Sequence, residues 1–321
     1  MFRAFFRRLT LGTTLVVLLS VSLLGALPVQ AKSNAILGPC GGSGIGIGKF
    51  NFSHTHCAVA FTVAAPSGTT TIGASTYMEV WDPTVVGPTV SNNDYSIAQV
   101  AIFNGSPDNY GATYTKDIEV GWIVDPSVWP NVQGPPQPHL FVFVRDSNKT
   151  TDSDQNCFVQ LDVITSQWSC GFGAYYTSPV LPGDQLNVTP GDVKPFVIVY
   201  SNGNWFIQYD YSWIGYISGS WFTDSTGTFD HVSYAQWQGE VASTSLQPTT
   251  QMGNGYCGSK TSPVPAHFYT MQVATYTQAI DAWTLSSTHR ATATNPKLYN
   301  GKPTTSSTGS TLSYGGPTGC P

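Results

Sequence analysis

The strongest constraint on this chain is a run of short β-prone stretches closed off by turn residues. Residues 95–103, 118–124, 139–145, 157–164, 195–210, 231–243 and 267–278 are rich in Val, Ile, Phe, Tyr and Trp, and Gly, Pro, Asn or Asp clusters bound each of them. None sustains the 3.6-residue period of an amphipathic helix. Asn202-Gly203, set between two apolar runs, is a strong two-residue hairpin signal. With 32 glycines and 22 prolines to make turns, the pattern predicts an all-β fold: an antiparallel β-sandwich of two sheets, jelly-roll-like.

The N-terminus is set apart from the rest. Arg3, Arg7 and Arg8 precede an apolar stretch over residues 9–27, and Val29-Gln30-Ala31 fits a small-residue cleavage site. Residues 1–31 therefore read as an export signal, and the mature protein is expected to be secreted, with no membrane attachment after cleavage. The six cysteines beyond this point, Cys40, Cys57, Cys157, Cys170, Cys257 and Cys320, then read as three disulfides that brace the sandwich. Neighbours in sequence suggest 40–57, 157–170 and 257–320. None has the spacing of a zinc or redox motif, and His54 and His56 read as residues of one strand face. No metal or other cofactor is expected.

Charge is scarce, at 10% of residues. Without the three leader arginines, 13 − 3 = 10 basic residues face 18 acidic ones, a net charge of −8. There is no basic patch, which argues against nucleic acid as a partner. A monomer is expected. A fold that rests on few ion pairs also loses little when its carboxylates are protonated, so the composition leans towards acid tolerance.

Against this background the glutamates stand out, because there are only three: Glu79, Glu119 and Glu240. Glu119 lies in Ile118-Glu119-Val120-Gly121-Trp122 and Glu240 in Trp237-Gln238-Gly239-Glu240-Val241, each within an apolar run. A carboxylate there is costly unless hydrogen-bonded, paired or used. Strand alternation puts Ile118, Val120 and Trp122 on one face and Glu119 on the other, and likewise Trp237 and Val241 opposite Glu240. Both glutamates then point to a more polar surface, where Tyr234, Gln236 and Gln238 join Glu240. Two facing carboxyls in a partly dry groove share a proton, an arrangement suited to hydrolysis in acid. Glu119 and Glu240 are therefore the catalytic candidates, and Tyr216, Tyr234, Gln236 and Gln238 the substrate-binding candidates. Trp122 and Trp237 read as core. Glu79 reads as a solvated, idle glutamate, with a supporting role as the alternative. The same residues also fit a glycoside hydrolase built on the carboxyl pair, or a non-enzymatic carbohydrate-binding sandwich.

The order of local motifs adds to this. Gly73-Ala74, Val80-Trp81-Asp82-Pro83, Tyr95-Ser96-Ile97-Ala98-Gln99, the Glu119 motif with Asp125-Pro126, Cys157, Cys170-Gly171-Phe172, Gly203-Asn204-Trp205, Ile214-Gly215-Tyr216, the Glu240 motif and Met252-Gly253-Asn254-Gly255 follow one another. This series resembles the neprosin family of secreted glutamic peptidases over residues 73–283. The resemblance implies a two-sheet sandwich, acid-active endopeptidase chemistry that cuts proline-containing peptides after proline, catalysis by Glu119 and Glu240, and a Cys157–Cys170 disulfide. It divides the chain into a signal (1–31), an N-terminal segment (32–72) with a short or absent pro-region, a catalytic sandwich (73–285) and a loosely packed Thr/Ser/Gly-rich tail (286–321). Gln238 departs from the glycine common in the family at this position.

Overall fold

The computed structural model describes residues 55–85, 94–105, 116–126, 137–146, 148–149, 156–223, 227–243 and 249–320. Residues 1–31, read from the sequence as an export signal, and Cys40 lie outside them. The strands in chain order are β1 Thr55–Ala64, β2 Thr71–Val80, β3 Tyr95–Asn104, β4 Lys116–Val124, β5 His139–Asp146, β6 Asn156–Phe158, β7 Leu161–Asp162, β8 Gln167–Trp168 and β9 Phe172–Ala174. They continue as β10 Asp192–Ser201, β11 Asn204–Tyr209, β12 Ser212–Ser218, β13 Tyr234–Ser243, β14 Ala266–Thr275, β15 Ala279–Asp281, β16 Thr292–Ala293, β17 Asn300–Ser306 and β18 Gly309–Gly315.

Two antiparallel sheets result. One has the order β16-β1-β13-β3-β4-β5-β6, and the other β17-β18-β14-β2-β10-β11-β12-β9, with β15 beside β14. Alternation works as anticipated. Ile118, Val120, Trp122, Trp237 and Val241 meet Met78, Phe196, Ile198, Trp205 and Phe268 in the core between the sheets. A buried indole needs an acceptor for its N–H. Trp122 donates to the main-chain carbonyl of Glu79 at 2.9 Å, Trp237 to that of Ser75 at 3.2 Å, and Trp205 to that of Phe229 at 2.8 Å. The Asn202-Gly203 signal is realised between β10 and β11, with φ of 48° and 79°. Two positive φ values are what a type I′ turn requires, and Asn and Gly tolerate them best.

Two disulfides are defined within the described residues. Cys157–Cys170 ties β6, at the edge of one sheet, to the turn that leads into β9, at the edge of the other. Cys257–Cys320 fastens the C-terminal segment. Cys57 is also disulfide-bonded.

The sandwich extends past both limits expected from the sequence. β1, within the segment taken to precede the fold, pairs with β13 along its whole length, Thr55 to Ser243 through Ala64 to Tyr234. The segment taken as a loose tail supplies β16, β17 and β18, and its Tyr299, Leu312 and Tyr314 are fully buried. Few apolar residues suffice there because alternation turns them inward while Ser, Thr and Gly fill the ladder between them.

Candidate active site

The site is built on the outer face of the first sheet, across β13, β3, β4 and β5. Register fixes its layout. One cross-strand row holds Gln236, Ala101, Glu119 and Phe143; the next holds Gln238, Gln99, Gly121 and Phe141; the third holds Glu240, Ile97, Ile123 and His139. Glu119 and Glu240 thus share a face, as alternation predicted. β3 lies between their strands, and the glutamine row lies between their positions.

This face is not the open polar surface that was expected. Glu119 is 1% exposed and Glu240 3% exposed. Beside them sits a second apolar cluster of Tyr95, Ile97, Ile123, Phe141, Phe143 and Ala242, with Phe158 packed against it.

The two carboxyls live in different surroundings. Both oxygens of Glu240 accept hydrogen bonds, Oε1 from the Tyr95 hydroxyl at 2.7 Å and Oε2 from the Gln238 amide at 2.7 Å. Burial, and then the nearby Glu240, hold the Tyr95 phenol well above its ordinary pKa, so Tyr95 remains a donor at any working pH. Glu119 is different. Its Oε1 is buried without a hydrogen-bond partner. Burial foremost, then the neighbouring Asp117, raise its pKa well above the usual carboxyl range; Arg145 pulls it back, Glu240 pushes it up, and the Gln99 amide lowers it a little. Glu240 accepts from Tyr95 and Gln238, and the charged groups that act on Glu119 are Asp117, Arg145 and Glu240, in that order.

The other candidates divide. Gln238 reaches the site, but its amide holds Glu240 while its Oε1 is left unpartnered. Gln236 shares the face and donates to Thr62 Oγ1 at 2.8 Å. Tyr234 is on the same face at the start of β13, half-buried, where it borders a cavity of about 570 Å³ with Thr71, His231 and Gly105 that contains neither glutamate. Tyr216 is misassigned. It lies on β12 of the second sheet, on the outward face with Phe206 and Tyr175, the core lying between it and the carboxyls. Alternation gives the face of a strand but not the sheet to which the strand belongs. Glu79 is not idle: it accepts from Tyr269 Oη at 2.7 Å, Trp81 Nε1 at 3.0 Å and the His267 amide at 3.0 Å, and so clamps β2 to β14.

Four groups escaped the sequence reading: Tyr95, Gln99, Asp117 and Arg145. Tyr95 and Gln99 open and close a motif already noted for its order in the chain. Asp117 precedes Glu119 by two residues, which is the same-face spacing of a strand.

Fold and site together define a disulfide-braced β-sandwich with two buried carboxyl groups on one outer sheet face. The family model for neprosin matches residues 92–317, more than half of the chain, and the chain therefore belongs to the neprosin family and is a peptidase. No curated protein sequence matches it. Among solved structures it is similar to SCP-B, a member of the eqolisin family of peptidases in a complex with the tripeptide Ala-Ile-His, at 11% identity and a TM-score of 0.38, over 81% of this chain and 99% of that one. It is also similar to CG-16, a homodimeric agglutinin from chicken liver, at 4% identity and a TM-score of 0.29, over 57% of this chain and 93% of that one. A third is a glycoside hydrolase family 16 endo-glucanase from Bacteroides ovatus, at 7% identity and a TM-score of 0.31, over 59% and 67%. No functional statement rests on these three likenesses.

Proposed function

We propose that the protein is a secreted glutamic endopeptidase, active in acid, in which Glu240 is the base and Glu119 the acid. The observation that carries this reading is the contrast between the two buried carboxyls: both oxygens of Glu240 accept hydrogen bonds, whereas Glu119 Oε1 has no hydrogen-bond partner and burial disposes Glu119 to keep its proton. Pairs of titratable groups pushed apart by their surroundings mark acid and base roles.

The steps follow from the geometry. Glu240, oriented by Tyr95 and Gln238, takes a proton from water as that water attacks the scissile carbonyl carbon. Glu119, still protonated, hydrogen-bonds the carbonyl oxygen as charge develops there, and then gives its proton to the departing nitrogen. Gln99, buried on the same face between the two glutamate strands, has a donor and an acceptor to offer the substrate backbone. The apolar residues Ile97, Ile123, Phe141 and Phe143 lie buried on the same face as the two carboxyls and would offer an imino ring an apolar neighbour, which is the basis of the proposed preference for cutting after proline.

The test is a digest of a proline-rich protein at pH 3–5 and pH 7, with the cuts mapped by mass spectrometry for the mature enzyme and for Glu119→Gln and Glu240→Gln. Cuts after proline in acid are expected, with at least a ~10³-fold loss in each variant, the scale on which removing an acid–base group or a charge-stabilising donor acts. Undiminished hydrolysis in either variant refutes the assignment.

A further inference from the structure

Asp117 and Arg145 stand next to Glu119 and have no part in the steps above. Asp117 is two residues before Glu119 on β4, so the two carboxyls emerge on one face about 7 Å apart. Arg145 is directly opposite Asp117 on β5. Its Nη2 donates to Asp117 Oδ2, and the pair is buried. Asp117 is 0% exposed, and its Oδ1, like Glu119 Oε1, has no hydrogen-bond partner. Two adjacent buried carboxyls therefore share one guanidinium, and the guanidinium is engaged with only one of them.

Charge bookkeeping in a dry site then decides which carboxyl ionises. A buried negative charge is tolerated when paired and strongly disfavoured when unpaired. With Arg145 fastened to Asp117, the single negative charge that the cluster can neutralise goes to Asp117. A second charge on Glu119 would lie unpaired beside the first. We propose that Asp117, held by Arg145, is a positioning residue that keeps the proton on Glu119. The inference rests on Glu119 acting as the acid.

Among the described residues, the groups that act on Glu119 are Asp117 of its own strand, Arg145 of β5, Glu240 of β13 and the uncharged Gln99 of β3. The Tyr95 hydroxyl of β3 lies within electrostatic reach as well. Asp117 also feels Asp146, at the end of β5. Burial pushes Asp117 itself up to about 6 against the pull of Arg145, so above that pH it carries the charge that opposes ionisation of Glu119.

The experiment is the pH profile of kcat/KM on a proline-containing fluorogenic peptide for the full enzyme, Asp117→Asn, Asp117→Glu and the doubly neutral Asp117→Asn/Arg145→Gln. The alkaline limb reports loss of the proton from Glu119. Without the like charge, that limb should move acidward by about one pH unit in Asp117→Asn. It should stay in place in Asp117→Glu. In the double variant it should move the same way by less, since the pull of Arg145 is removed as well. The double variant also carries the test if Asp117→Asn, which strands a buried guanidinium, does not fold. A folded Asp117→Asn or double variant whose limb stays in place overturns the inference, even if activity falls at every pH. An inactive Glu119→Gln alongside such a result leaves the proposed function standing, whereas an active Glu119→Gln refutes both.

Discussion

Most proteins lose stability in acid; this one should gain it between pH 7 and pH 4. The perturbation is pH itself, and the main group responsible is Asp117. Its pKa is about 6 in the folded protein against 3.8 when unperturbed, raised by burial more than Arg145 lowers it. The sign follows from proton counting. Between these two values the unfolded chain has given up its proton and the folded protein still holds it, so raising the pH favours unfolding. The stability is fully present below pH 3.8 and is lost by the time the pH passes 6. The difference between these two values corresponds to about 3 kcal/mol. Glu119, raised for the same reason, acts in the same direction and extends the loss further towards alkaline pH. His139 opposes them: burial lowers its pKa, so acid charges it more readily in the unfolded chain. The exposed Lys194–Asp210 pair contributes little either way. For a domain of 150–250 residues, 3 kcal/mol moves Tm by about 6–12 °C. The assay is calorimetric unfolding with disulfides intact, from pH 7 down to pH 4, for the wild type and Asp117→Asn. The wild type should melt higher at pH 4, and the variant, which lacks the titrating group, should show a flatter profile. A wild-type Tm that falls over this range, or that rises equally in the variant, would refute the reasoning.

Two further substitutions probe the groove and its support. Tyr95→Phe removes one of the two donors to Glu240, and a hydrogen bond to a charged group is worth about 1.5–3 kcal/mol. Steady-state kinetics should show kcat/KM down roughly 10- to 100-fold, and the loss of this donor from a buried carboxyl should also lower Tm at the pH of the assay. Gly239→Ala acts on the other face of the same strand, where the added Cβ would lie 2.4 Å from the Tyr314 ring and 3.0 Å from Met252 Sδ. Both neighbours are fully buried, so overpacking should cost about 1–3 kcal/mol and lower Tm.

What could be read from the sequence was local. Strands announce themselves through alternation and turn residues over five to ten positions, which is why 95–103 and 231–243 were found close to where β3 and β13 lie. The β17–β18 hairpin was missed because its core contribution is so small, with Leu312 and Tyr314 its principal buried side chains, and because its main partner, β14, is distant in sequence. Scarcity led correctly to Glu119 and Glu240, and the same argument applied to arginine would have found a third group. The chain has five arginines; three lie within residues 1–31, leaving Arg145 and Arg290. An arginine within an apolar strand is as conspicuous as a glutamate there, and Arg145 is the one that reaches the site. Burial of the carboxyls was not legible, because alternation says which face a residue is on and not what environment that face meets.

The spacing of the two glutamates is the property that alternation leaves least determined, and the core supplies it. Glu119 and Glu240 are each three residues from a tryptophan that points to the opposite face of its strand. Those tryptophans, Trp122 on β4 and Trp237 on β13, reach across the sandwich to main-chain carbonyls of a single strand, β2, at Glu79 and Ser75. β2 therefore acts as a common ruler: sliding either glutamate-bearing strand by one residue would break a buried indole hydrogen bond and turn its apolar residues out of the core. β2 is in turn fixed to β14 by the Glu79 carboxylate through Tyr269 and the His267 amide. The glutamate set aside in the sequence as solvated thus helps to hold the strand from which the positions of the other two are set.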